Sequence, residues 1–188
     1  KRLVINLKRQ PKLFRQWPVK LETVESFGLQ LLNDDHLLSL DIEKGYIHFR
    51  FHPKMRNWLF FCINGECFRC VALQFDWRLS PAWFIKLMRP FVRYVRDKLY
   101  YRCLDYMDDF CVAPTNGSAA ATAGDASIAR GRLANLLRNC GLRRKECKGC
   151  WEGSRQLEHL GFHLYTAASC LESRKPASSR YATFQNAS

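Results

Sequence analysis

The sequence lacks any long apolar segment. No stretch approaches the roughly 18 unbroken apolar residues that a transmembrane helix needs. The longest run, 58–63, has the length of a strand, so we expect no membrane partner. The chain also begins at Lys1 without a Met or a charged-then-apolar leader. We therefore expect an intracellular piece of a longer protein.

Acidic residues are scarce relative to basic ones. The 188 residues include 30 Lys and Arg but 17 Asp and Glu, which gives a net charge of +13. Such a surplus attracts polyanions, and nucleic acid is the commonest large one. A basic but otherwise ordinary protein, or one that binds a membrane surface, is the alternative. The length suits one sizeable core and at most two small domains.

The number of cysteines, nine, is odd, and no secretory leader is visible in the sequence. This argues against a secreted disulfide framework and favours a reducing compartment. Two Cys-x-x-Cys pairs, Cys67/Cys70 and Cys147/Cys150, are a possible four-ligand zinc site. The first pair lies in a segment typical of a strand, where odd spacing puts the thiols on opposite faces. Buried free cysteines are the alternative.

Apolar periodicity and turn residues predict a mixture of short strands and longer helices. The Asn64-Gly65 dipeptide indicates a hairpin turn, and Pro90 is expected to kink the helix that contains it. That helix carries a basic stripe of Lys86, Arg89, Arg93 and Arg96, which either follows a phosphate backbone or is a solvated face. The predicted elements are strands at 2–7, 37–42, 58–63, 67–73, 102–105, 110–113 and 157–164, and helices near 21–32, 80–100 and 125–140, the last capped by Asp125.

Three aspartates lie beside predicted strands. Asp108 and Asp109 stand between two apolar segments, and Asp41 follows another. Two strand ends side by side would bring Asp41 and Asp108 together, where carboxylates repel unless cations neutralise them. Oxygen ligands favour Mg²⁺, and two such ions can stabilise an in-line phosphoryl displacement. An exposed acidic turn with nothing bound is the alternative.

Five segments, in order, carry a resemblance to a known family. Together they resemble the reverse transcriptases, closest in style to retrotransposon enzymes of the LTR and DIRS-like kinds. The similarity runs from about Arg2 to Thr166. In chain order the segments are Ser39–Tyr46; Leu73–Phe84 followed by Lys86–Pro90; Tyr106-Met-Asp-Asp109, which matches the family's YxDD box; Gly141-Leu142 followed by Lys148-Gly-Cys-Trp-Glu152; and Leu157–Phe162.

The resemblance implies a metal-dependent catalytic site. Asp41 and Asp108 would hold two Mg²⁺ ions, for which Mn²⁺ is a possible substitute, and Asp109 would support them. The backbone carbonyl of Ile42 would be a further metal contact. Lys148 matches a lysine that protonates the leaving pyrophosphate.

The resemblance also implies a binding site for a dNTP and a template–primer of RNA or DNA. Tyr46 would lie under the deoxyribose and exclude a 2′-OH, and Phe75 would line the nucleotide pocket, although both could be plain core aromatics. Arg2 would contact the triphosphate through its guanidinium. The other substrate-side positions are Asp76, which stands where the family has Gly, Tyr106, Met107 and, near the primer terminus, Leu160-Gly161.

The fold implied is an α+β polymerase palm, an antiparallel sheet backed by helices, with partial fingers and without a thumb. The expected boundaries are partial fingers 1–36, palm 37–56 with the first catalytic strand, a fingers hairpin 57–79, palm 80–166 and a poorly ordered tail 167–188. The function implied is RNA-directed DNA polymerase activity in a retroelement polyprotein whose thumb and RNase H lie elsewhere. The alternatives are an inactive nucleic-acid-binding remnant and a zinc-dependent interaction module.

Overall fold

The computed structural model describes residues 18–75, 77–115, 119–167, 170–173 and 182–183. The predicted strand at 2–7, Arg2 and Asp76 lie outside these residues. The helices and strands are α1 Val24–Gly28, β1 Leu38–Asp41, α2 Pro53–Arg56, β2 Phe60–Ile63, β3 Glu66–Arg69, α3 Ser80–Arg93, β4 Arg102–Tyr106, β5 Asp109–Ala113, α4 Ala123–Asn139, β6 Gln156–His159, β7 Phe162–Tyr165, β8 Cys170–Ser173 and β9 Ala182–Thr183.

The chain divides into two compact units. Unit 1 contains the described residues 18–20 and 44–89, and unit 2 contains 21–43 and the described residues after 89. The boundary falls inside α3, so one helix contributes to both. Within the described residues, no helix is both long enough and apolar enough to cross a membrane.

Unit 1 contains the predicted hairpin. Strands β2 and β3 pair antiparallel, and their turn has φ of 52° at Asn64 and 83° at Gly65. The strand after the turn is shorter than predicted, since it ends at Arg69. Cys62 and Cys67 face each other in this hairpin and form a disulfide, so the alternative of a free thiol is wrong for Cys67.

Unit 2 is built on a three-stranded antiparallel sheet with the order β1-β5-β4. The α+β prediction is therefore confirmed. Helix α1 packs on this sheet through Val24 and Phe27, which join a buried cluster with Leu37, Leu104 and Leu164. Burial of this apolar surface is the main stabilising contribution to the fold of the unit.

Helix α4 begins earlier than the sequence suggests. Thr122, not Asp125, is the N-cap, and its hydroxyl accepts from the Asp125 backbone N–H. The Asp125 carboxylate accepts in turn from the Thr122 backbone N–H, which completes a capping box. The prediction of Asp125 as the cap is wrong by three positions, because an acidic residue serves either role in such a box.

A second sheet of unit 2 has the order β6-β7-β8-β9. The apolar pattern over 157–164 predicts one strand, whereas Leu160 and Gly161, with φ of 52° and 80°, form a turn between two strands. Strands β8 and β9 lie in the segment expected to be poorly ordered. Pairing with the open edge of β7 supplies hydrogen bonds that a weak local sequence pattern does not reveal.

Helix α3 passes through Pro90 and continues as a π-helix over Tyr94–Lys98. The basic stripe does not remain uniformly solvated along this stretch. Arg96 donates to both carboxylate oxygens of Glu22 and to the carbonyl of Cys103. Arg96 therefore ties two parts of unit 2 together, and only the earlier members of the stripe remain candidates for phosphate contacts.

Candidate active site

Strands β1 and β5 place two aspartates side by side in unit 2. Asp41 is the register partner of Asp109, and Asp109 is also the partner of Tyr106 on β4. Direct partners in an antiparallel pair have Cα atoms about 4.5–5.5 Å apart. The two strand ends therefore meet as the sequence suggests, and the residue in register with Asp41 is Asp109.

The Asp108 carboxylate belongs to the tight turn that joins β4 to β5. Met107 in this turn has φ of 61°, a left-handed conformation that side chains other than glycine rarely adopt. The carbonyl of Asp108 accepts from the backbone N–H of Ile42 at 2.8 Å. The turn is thus fastened to the residue after Asp41, and strain of this kind is concentrated at functional sites.

The other edge of β1 is covered by the segment 143–154. Backbone hydrogen bonds join Ser39 N to Cys150 O and Lys145 N to Asp41 O, both at 2.8 Å. The Ser39 hydroxyl accepts from Cys150 N at 2.7 Å. A Cβ at Gly149, which has φ of +84°, would lie 2.6 Å from the Ser39 carbonyl oxygen. Only glycine therefore allows this close approach.

Lys148 projects from this segment onto the aspartates. Its ammonium donates to Asp109 at 2.8 Å and to the carboxylate of Asp41. Asp41 is almost buried, with a side chain 10% exposed, whereas the Lys148 side chain is 49% exposed. The hydrogen bonds to Asp109 and then to Asp41 raise the pKa of the Lys148 ammonium well above its ordinary value.

The two candidate aromatics lie in unit 1. Tyr46 is buried in a 3₁₀ turn, and its ring centroid lies 4.8 Å from that of Phe75 and 5.2 Å from that of Phe84. Phe75 remains 47% exposed. Tyr46 is therefore packed as a core aromatic, while Phe75 presents part of its ring to solvent.

Two comparisons relate this geometry to known proteins. Residues 2–164 match the family described as "Reverse transcriptase (RNA-dependent DNA polymerase)". The chain belongs to the reverse transcriptase family. A solved foamy viral protease–reverse transcriptase in complex with double-stranded DNA has a TM-score of 0.71 and 14% identity over 89% of this chain. None of the curated proteins matches the sequence.

The match to the foamy viral reverse transcriptase concerns the fold, because the identity is low. This chain corresponds to 27% of that protein, so it spans about a quarter of its length. The similarity supports the description of the α+β fold as a reverse transcriptase palm region. It leaves the activity and the partners of the chain to be proposed.

The donor set suits the divalent ions that reverse transcriptases use. Asp41 and Asp109 offer hard carboxylate oxygens, and these oxygens already share one cation, the Lys148 ammonium. Within the described ranges, no three His, Cys, Asp or Glu side chains form a ready metal cage. Mg²⁺ usually binds through one or two protein carboxylates together with substrate phosphates, so the residues fit such an ion.

Cysteine geometry does not favour the zinc module. Cys67 is bonded to Cys62, so it has no thiolate to offer as a fourth ligand beside Cys70, Cys147 and Cys150. Zinc sites of this type need four deprotonated thiols or imidazoles around one ion. The alternative reading of buried free thiols holds for Cys70.

Sequence reasoning missed two titratable residues on strands of unit 2, the half-buried Asp105 and the buried His159. Asp105 precedes Tyr106, and burial followed by the charge of Glu22 raises its pKa to about 6. His159 lies in β6, and burial followed by the charge of Lys148 lowers its pKa to about 4. Asp105 follows the apolar pair Cys103-Leu104 in β4, which is a signal that could have identified it, whereas His159 ends the mostly polar strand Gln156–His159 and has no such signal.

Proposed function

We propose that this chain is the palm, with part of the fingers, of an intracellular retroelement reverse transcriptase of the LTR or DIRS-like kind. In the reaction, the 3′-OH of a primer attacks the α-phosphate of a dNTP and pyrophosphate leaves. The observation that carries the proposal is the register of Asp41 with Asp109 beside the tight Tyr106–Asp109 turn. The match of residues 2–164 to the family supports it.

Asp41, Asp108 and Asp109 would hold two Mg²⁺ or Mn²⁺ ions through their carboxylates, with the carbonyl of Ile42 as a further contact. Bound there, such ions supply charge stabilisation to the attacking and leaving oxygens of an in-line displacement. The contribution of the chain is to hold the carboxylate-bearing residues in fixed positions. Strand pairing and the Ile42–Asp108 hydrogen bond hold the three acidic residues at one end of the sheet.

The remaining site residues would act on the nucleotide. Tyr46 would contact the sugar and reject a 2′-OH, and the exposed ring of Phe75 would contact the base or sugar. Lys148 would hold a proton for the leaving pyrophosphate. The hydrogen bonds to Asp109 and Asp41 raise the pKa of the Lys148 ammonium and so keep its proton bound. Lys148 must therefore leave these carboxylates before it can donate the proton. The other proposed substrate contacts are Arg2, Asp76, Tyr106 and Met107.

The template–primer would bind through basic surface. Lys20, Lys86 and Arg89 line a cleft of about 420 Å³ in unit 1. Phosphate contacts from such residues supply most of the affinity of non-specific nucleic-acid binding and make it sensitive to salt. The net charge of +13 supports the same kind of partner.

Primer extension on a template–primer with Mg²⁺ or Mn²⁺ tests the proposal. Asp41→Asn and Asp109→Asn should each lower the extension rate by about a hundredfold or more, because each removes a carboxylate that would hold the metal ions. Asp97→Asn, which removes an exposed carboxylate on the π-helix, is the matched control and should retain wild-type activity. Equal activity in all three variants would contradict the assignment.

A nucleic-acid-binding remnant without polymerase activity is the second candidate. One observation favours it: the carboxylates of Asp41 and Asp109 already share the Lys148 ammonium as a counter-charge within the chain. Fluorescence anisotropy with a labelled duplex separates the two candidates. Salt-dependent binding together with no extension in either metal would support the remnant.

A further inference from the structure

Lys148 is the one positive group that contacts both Asp41 and Asp109 among the described residues. Its ammonium lies 2.8 Å from Asp109 Oδ1 and also donates to Asp41 Oδ2. Two carboxylates on neighbouring strands repel each other, and the burial of Asp41 strengthens that repulsion. The ammonium therefore supplies charge that a bound cation would otherwise have to supply.

The position of Lys148 is set by its backbone rather than by its side chain. The residues on either side of it are tied to β1: Lys145 donates to the Asp41 carbonyl, and Cys150 donates to the Ser39 hydroxyl. The absence of a Cβ at Gly149 allows the segment to press against the Ser39 carbonyl. The lysine stem thus starts from a fixed point beside Asp41.

The two sides of this ion pair differ in freedom. Asp41 is held in a paired strand and is nearly buried, whereas Lys148 is half exposed. A lysine stem with four rotatable bonds can turn its ammonium into water at little cost. If one partner leaves, it is therefore the lysine, and the aspartates keep their positions.

From this asymmetry we propose that Lys148 is a tethered counter-cation that competes with divalent metal ions for the Asp41 and Asp109 carboxylates. The inference rests on the proposed function, since it takes these carboxylates as metal ligands. Competition weakens the apparent affinity for metal, because binding must first break two ion pairs. It also places a freed ammonium beside the site only when metal is bound, where it can meet the leaving pyrophosphate.

Direct metal binding measures this competition without using catalysis. Free Mn²⁺ is followed by electron paramagnetic resonance during titration of the whole chain, with Lys148→Met, Lys148→Gln and Lys145→Met as variants. Lys145 lies on the same segment and is exposed, so its replacement removes the same charge from nearly the same place. Both Lys148 variants should bind Mn²⁺ about five- to tenfold more tightly than wild type, and Lys145→Met less than about twofold more tightly.

An Asp41→Asn variant separates failure of this inference from failure of the proposed function. If Asp41→Asn binds Mn²⁺ as wild type does, the metal site itself is wrongly assigned and the inference falls with it. If Asp41→Asn weakens binding but the Lys148 variants match Lys145→Met, the metal site stands and the counter-cation is wrong.

Thermal unfolding distinguishes competition from a purely structural lysine. In buffer with a chelator, the Lys148 variants should unfold at a lower temperature than wild type, because Asp41 and Asp109 then repel each other. Saturating Mg²⁺ should raise the unfolding temperature of these variants more than that of wild type. A lysine with only a structural role would lower the unfolding temperature without changing the response to Mg²⁺, and that result would overturn the proposal.

Discussion

Two buried aspartates, one just before β1 and one at its last position, have different partners in the fold. The Asp35 carboxylate is fully buried and accepts from Leu32 N, Ala121 N and Arg102, at 2.7–2.8 Å. Asp41, six positions later, shares a half-exposed lysine with Asp109. Both are acidic residues in an apolar setting, and only their partners distinguish them.

The difference separates a carboxylate that holds the fold from one available to a ligand. The partners of Asp35 are two backbone donors and a mostly buried guanidinium, none of which can leave without unfolding the loop. The partner of Asp41 is a flexible cation at the surface, which another cation can replace. A partner cation that can be replaced is thus a better sign of a functional carboxylate than the burial of that carboxylate.

The strongest test of the comparison is Asp35→Asn. The two backbone donors reach different oxygens of Asp35, so an amide must turn its NH₂ toward one of them, and the buried Arg102 loses its counter-charge. We expect the free energy of unfolding to fall by about 3–5 kcal/mol, measured by urea denaturation.

Asp34→Asn is the control for that change. Asp34 pairs with Arg155 at 3.1 Å at an exposed position, so its replacement should cost about 1 kcal/mol or less. If the two variants lost the same free energy of unfolding, Asp35 would stabilise the fold no more than a surface carboxylate such as Asp34.

Asp105 lies between these two kinds of aspartate, and the pH dependence of stability should show this. One of its carboxylate oxygens is buried without a hydrogen-bond partner among the described residues, and burial, then Glu22, raises its pKa to about 6. Its protonated form is favoured in the folded state, so its contribution is present at low pH and is lost as pH rises from about 4 to 6. The loss should be about 3 kcal/mol.

The measurement compares urea unfolding of wild type and Asp105→Asn across pH 4–7. His159, with a pKa lowered to about 4, acts in the opposite direction over a similar range, so only the difference between the two proteins isolates Asp105. That difference should grow as pH rises, in favour of Asp105→Asn. A constant difference would show that Asp105 titrates normally.

The smallest expected effect belongs to Asp41→Asn, measured as stability rather than activity. Lys148 keeps Asp109 as a partner and can also turn into water. The free energy of unfolding should therefore change by about 1 kcal/mol or less, whereas the proposed function predicts large losses of metal binding and of primer extension for the same variant. A loss as large as that of Asp35→Asn would mean that Asp41 holds the fold too.

The sequence was enough to predict the strands that carry the site. Their apolar runs end at Asp41 and begin after Asp109, and antiparallel pairing of such runs leaves few other arrangements. The hairpin at Asn64-Gly65 was equally accessible, because its turn depends on two neighbouring residues. The α+β fold follows from these local patterns together.

Partners that are distant in the chain were not accessible in the same way. Lys148 lies 107 positions from Asp41, and Arg102 lies 67 positions from Asp35, so no local pattern pairs them. The Cys62–Cys67 disulfide was missed because the number of cysteines indicates only the redox compartment. It does not show that these two residues are register partners in the β2–β3 hairpin. The ion pair of Arg96 with Glu22 was not accessible either, because helical spacing places Arg96 on the basic stripe but does not show which distant residue lies beside it.

The backbone at Gly149 limits which substitutions the site can accept during evolution or engineering. Its positive φ and its lack of room for a side chain mean that any replacement must push either β1 or the segment carrying Lys148. Mutational libraries should therefore show position 149 to be as intolerant as an aspartate of the site, although Gly149 contacts no substrate in the proposed reaction. Alanine is the mildest probe of this, since it adds one methyl group and leaves every charge in place.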